Sequence, residues 1–155
     1  MQRLFSTLLL AVLALTSLPT IAESITTQDA WIREAPPVSR VLAGYIIITN
    51  SSDKPATLVK VTGGNFSSVE LHQTVLEGGV SKMHRQENIV IPAGSSVELK
   101  PEGMHMMLFN PVKPVKAGNI VQLELTFKDG NTVPVKFAVK KATGGTDHSH
   151  HHMHH

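Results

Sequence analysis

Short apolar runs, β-branched or alternating with polar residues and cut every few positions by turn formers, leave this chain of 155 residues little choice but a β-fold. Residues 44–49 read GYIIIT and end at the turn-rich segment Asn50-Ser51-Ser52-Asp53-Lys54-Pro55. Residues 57–61 (TLVKV), 68–74 (SVELHQT) and 80–85 follow, the last two separated by Glu77-Gly78-Gly79. Ile89-Val90-Ile91 and residues 96–100 flank Pro92-Ala93-Gly94, and Pro101-Glu102-Gly103 turns into residues 104–109. Leu123, Leu125 and Phe127 alternate with polar residues; Asp129-Gly130-Asn131 then leads into Val133, Val135, Phe137 and Val139, the clearest hairpin signal in the chain. No stretch beyond Glu23 has convincing helical period. The reading is all-β, an antiparallel Greek-key β-sandwich of eight or so short strands, forming one domain over residues 23–141. Residues 23–29 read as a loose opening segment.

The two ends read differently. Residues 1–22 have the features of a signal peptide. Arg3 is the positive start, residues 8–15 (LLLAVLAL) are an apolar run too short to span a bilayer comfortably, and Thr20 and Ala22 are small residues at a cleavage point. Export to the periplasm is expected, with no stable membrane insertion after cleavage. Residues 142–155 form a Gly-, Ser- and His-rich tail, too poor in apolar residues for a packed core.

Net charge is +2 with scattered basic residues, and aromatics make up 5% of the chain, so nothing points to nucleic acid. Cysteine is absent, which excludes a disulfide scaffold, a zinc-thiolate site, a thiol nucleophile and a blue-copper centre. Nine His and six Met, by contrast, cluster.

Four of these form a spaced set. Ten residues separate His72 from Met83, 21 separate Met83 from His105, and one separates His105 from Met107. On a strand His105 and Met107 share a face, with Met104, Met106 and Leu108 on the other. A symmetric four-residue turn at Leu76-Glu77-Gly78-Gly79 would set His72 directly opposite Met83, Cβ atoms about 5 Å apart. A lone Met usually packs in a core and a lone His usually sits at the surface. As a set, two thioethers and two imidazoles favour a soft cation, Cu(I), over Mg²⁺, Ca²⁺ or Zn²⁺. Imidazole binds metal only when neutral, so affinity should fall on acidification.

The set also resembles the defining motif of the periplasmic copper chaperones of the PCuAC family. Ala30-Trp31-Ile32-Arg33, Pro36-Pro37, Ala43-Gly44-Tyr45, Val69-Glu70-Leu71-His72, Lys82-Met83 and Ile91-Pro92-Ala93-Gly94 are similar to the family's surroundings of that motif, from about residue 30 to 139. The resemblance implies a cupredoxin-like sandwich that binds Cu(I) near one end. It further implies that His72, Met83, His105 and Met107 bind Cu(I). The implied partners are copper-donor and copper-acceptor proteins of the periplasm, cytochrome c oxidase or its assembly factors among them. Two residues depart from the pattern: His84 stands where an Arg is commoner, and Gln73 where some members carry Met. His84 should point away from Met83 on a regular strand.

His148, His150, His151, His152, Met153, His154 and His155 make a second candidate site, suited to Cu(II). The competing readings are a copper buffer without delivery, a copper enzyme, and a plain binding or adhesion sandwich that holds no metal. Against the enzyme stand the lack of a carboxylate within the motif and a ligand set already complete without substrate.

Overall fold

The computed structural model describes residues 24–63 and 66–141; the expected signal peptide and the His-rich tail lie outside them. The described residues form ten strands and no helix, so no helix there is long and apolar enough to cross a membrane. The strands are β1 (Ile25–Arg33), β2 (Val41–Asn50), β3 (Ala56–Thr62), β4 (Ser68–Glu77) and β5 (Val80–Gln86), then β6 (Ile89–Ile91), β7 (Ser95–Leu99), β8 (Met104–Phe109), β9 (Ile120–Phe127) and β10 (Thr132–Lys140).

Hydrogen bonding runs in the order β5-β4-β8-β2-β1-β10-β9-β3-β6, with β7 also pairing β2. Between β2 and β3, β3 and β4, β5 and β6, β6 and β7, and β8 and β9 the chain leaves one half of this path for the other, while β1–β2, β4–β5 and β9–β10 join strands that pair directly. The expected sandwich is therefore present. Every pair is antiparallel except β1–β10, which is parallel and makes the sheet mixed.

Alternation decides what is inside. In β9, Val121, Leu123, Leu125 and Phe127 are buried and the residues between them are not, apart from a half-buried Thr126. They meet Ile46 and Ile48 of β2, Met106 and Leu108 of β8 and Phe137 of β10 in one continuous core. Asn50 is a fully buried polar residue at the end of β2. Its amide donates to the carbonyls of Lys54 (2.7 Å) and Ile91 (3.2 Å), and its oxygen accepts from Ser52 N (3.1 Å) and Oγ (2.7 Å), so the 50–55 turn is closed from within.

Residues 25–29 are not a loose opening segment. Ile25 to Gln28 pair with Asn50 to Ile47, and the pairing resumes at Trp31 after a bulge. Asp29 at the bulge has φ 49°. The bulge breaks the two-residue alternation that would have marked the strand in the sequence.

Candidate metal site

The sheet half that carries the site is β5-β4-β8-β2, and one of its faces is the core. Val69 and Leu71 of β4, Met106 and Leu108 of β8 and Leu42 of β2 turn to that face. Their strand neighbours therefore turn outward. Pairing then fixes what stands beside what. His72 is directly opposite His105, Glu70 opposite Met107, and Met107 opposite Ala43. The imidazole rings of His72 and His105 are 6.0 Å apart between centroids and stack at 30°.

The β4–β5 hairpin differs from the four-residue turn expected. Pairing continues to Glu77 opposite Val80, leaving only Gly78 and Gly79 in the loop. Both have positive φ (59° and 81°), which a two-residue hairpin turn of type I′ demands of both its central residues and which glycine supplies without strain. The register is consequently two residues away from the expected one. His72 faces Arg85, and Met83 faces Thr74. A shift of two leaves every side chain on its own face. Met83 thus stays on the side of His72, one diagonal step away, a separation of roughly 7–8 Å between Cα atoms in an antiparallel pair. His84, opposite Gln73, points to the other side, as expected of a regular strand.

All four motif residues thus lie on one outer face across three adjacent strands, β5, β4 and β8. Their exposure is graded. His105 is buried at 7%, His72 and Met107 are half-buried, and Met83 on the edge strand is 61% exposed.

Hydrogen bonds set the rings. The Nδ1 of His105 lies 3.0 Å from the carbonyl oxygen of Gly103, in the turn before β8. A carbonyl only accepts, so this nitrogen carries the proton and Nε2 keeps its lone pair. The Nε2 of His72 lies 2.9 Å from Oε2 of Glu70, two residues back on the same face. Oε1 of Glu70 in turn forms an ion pair with Nη1 of Arg85 at 3.2 Å. The Nδ1 of His72 is buried and has no hydrogen-bond partner, the one such side-chain atom among the described residues. A buried lone pair with nothing to accept is costly unless a ligand takes it. The softness of the donor set comes from the thioether sulfurs of Met83 and Met107.

Glu70 and Arg85 are neighbours of His72 that the motif spacing does not single out. Glu70 is readable from its place two residues before His72. Arg85 is not, because its position opposite His72 depends on the loop length.

The hairpin tip has its own polar cluster on the face away from the site. Lys82 Nζ donates to Glu77 at 2.8 Å, and His84 Nε2 lies 3.1 Å from the same carboxylate. The Lys82 hydrogen bond, followed by His84, holds the Glu77 carboxyl below the usual carboxylate range. On the site face, further along the sheet, Trp31 and Tyr45 pack at 4.5 Å between centroids, with the guanidinium of Arg33 5.7 Å above the tyrosine ring. Burial raises the Tyr45 phenol above its ordinary pKa of 10.0, partly opposed by Arg33.

Known proteins carry the same architecture. The chain is 33% identical over 127 residues to Lxx21020 of Leifsonia xyli subsp. xyli (strain CTCB07), named as a lipoprotein, covering 81% of this chain and 75% of that one. Among solved structures it is similar to CuI-DR1885 from Deinococcus radiodurans, at 32% identity and a TM-score of 0.65, covering 80% of this chain and 83% of the other. It is also similar to the copper-bound PCuAC domain from PmoF2, at 25% identity and a TM-score of 0.66, covering 77% and 94%. A profile of the LpqE-like lipoprotein family matches residues 25–139, nearly all of the described sandwich, and the chain belongs to that family.

Proposed function

We propose that this protein is a periplasmic copper carrier that holds Cu(I) as cargo through His72, Met83, His105 and Met107 and passes it to acceptor proteins. The observation that carries the reading is the juxtaposition of His72 with His105, with Met107 and Met83 on the same face and one buried imidazole nitrogen unpartnered. The copper-bound state of two structural neighbours supports it.

The chemistry suits carriage better than catalysis. Thioethers bind Cu(I) through soft, uncharged sulfur and have no proton to lose. Imidazoles add borderline nitrogen donors. Met83 stands on an edge strand in contact with solvent, where an incoming acceptor ligand can displace it first, while buried His105 is released last. Cytochrome c oxidase or its assembly factors are the acceptors that the family resemblance implies. The signal-like residues 1–22 and the family's lipoprotein name fit export.

Two measurements test the reading. Competition against a Cu(I) chelator should give one tight site, weakened by more than about 100-fold in a His105→Ala, Met107→Ala double variant whose circular dichroism is unchanged. Unchanged affinity in that variant would mean the site is elsewhere. Mixing the Cu(I)-loaded protein with an apo copper-acceptor domain should move the metal faster than free Cu(I) release allows. Transfer no faster than release would make the protein a buffer.

A further inference from the structure

Glu70 stands between two partners. One carboxylate oxygen faces His72 Nε2 at 2.9 Å, and the other is ion-paired with Arg85 Nη1 at 3.2 Å. The three side chains share one face because His72 pairs with Arg85 across β4–β5 and Glu70 precedes His72 by two residues. A carboxylate can only accept, so the His72 nitrogen facing it carries the proton. The second nitrogen, Nδ1, is then a bare lone pair, and it is buried with no partner. His105 is set the opposite way by the Gly103 carbonyl, which fixes its proton on Nδ1 and frees Nε2.

We infer that Glu70, itself held by Arg85, is the positioning residue of the site: it fixes His72 as the Nε2–H tautomer and presents Nδ1 to the metal, so the two histidines use different nitrogens. The metal-binding half of this inference rests on the copper reading above; the tautomer half does not. Carboxylate, imidazole and metal in line form a known way of orienting a ligand and raising its basicity, worth about 10- to 100-fold in affinity when the carboxylate is lost. Arg85 keeps the carboxylate from swinging away and offsets its charge beside the half-buried ring. Arg85 is well exposed, so it can be removed without opening the core.

The test uses the full-length protein, metal-free and Cu(I)-loaded. In the metal-free wild type at one mildly alkaline pH, ¹⁵N–¹H correlation of the imidazoles should show His72 protonated at Nε2 and His105 at Nδ1. Glu70→Ala should let His72 exchange between tautomers and lower Cu(I) affinity by about 10- to 100-fold. Glu70→Gln, which keeps an acceptor oxygen, should hold the tautomer and recover most of the affinity. Arg85→Ala should produce a smaller loss in the same direction, and it stands in for Glu70→Ala if that variant fails to fold. His72 protonated at Nδ1 in the wild type overturns the inference. So does a folded Glu70→Ala protein that keeps both tautomer and affinity within about twofold. A wild type that does not bind Cu(I) overturns the proposed function and the metal-binding half of this inference, whatever tautomer His72 adopts.

Discussion

Asn50 and Tyr45 lie outside the metal motif, and both are buried. Asn50 is fully buried and satisfies both its amide and its carbonyl within the 50–55 turn and against Ile91. Asn50→Ala removes these bonds and leaves buried carbonyls unpaired, so it should cost about 2 kcal/mol of stability by chemical denaturation, with Cu(I) affinity of the folded protein unchanged. Tyr45 is the other. Its phenol is raised by burial, so the folded state favours the neutral form. The folded value lies above the unfolded one, and the stability this represents is complete below the ordinary tyrosine range and lost as pH rises through the folded value. Thermal denaturation should show an alkaline decline that Tyr45→Phe removes.

Among the elements, the β4–β5 hairpin decides how well the site is built, and it marks the limit of what could be read from sequence. The two strands, and the face on which His72 and Met83 lie, are legible from alternation. The register is not, because Glu77-Gly78-Gly79 is compatible with either loop length, and only pairing to Glu77–Val80 selects the shorter. For the same reason Arg85 was invisible as a partner of Glu70. β1 escaped notice because its bulge at Asp29 interrupts the alternation of an already polar segment. The positive φ of Gly78 and Gly79 sets a prediction. An added Cβ at either meets nothing within 4 Å, so alanine there costs backbone strain alone, about 1–2 kcal/mol each. Beyond Gln73 the hairpin has no third strand, since β4 pairs β8 only that far. Gly78→Ala with Gly79→Ala should therefore speed amide exchange in residues 75–82 and weaken Cu(I) binding through Met83. The core amides of β9 and β10 should keep their protection. Acid loosens the same hairpin tip. Glu77 is held below its usual range by Lys82, so its contribution is present above the ordinary carboxylate value and lost as pH falls through the depressed one.

At the scale of the whole molecule, a sandwich with one continuous core presents a graded face from buried His105 to exposed Met83. The His-rich residues 142–155 lie outside the described structure, and we propose that they bind Cu(II). Deleting them should lower Cu(II) stoichiometry and leave Cu(I) stoichiometry at one. X-ray absorption reads directly whether two imidazoles and two thioethers converge on one soft cation. On protein lacking residues 142–155 and loaded with one equivalent of Cu(I), the metal should have a shell of mixed nitrogen and sulfur scatterers, with sulfur lost in a Met83→Leu, Met107→Leu variant. A shell of nitrogen and oxygen alone would contradict that convergence.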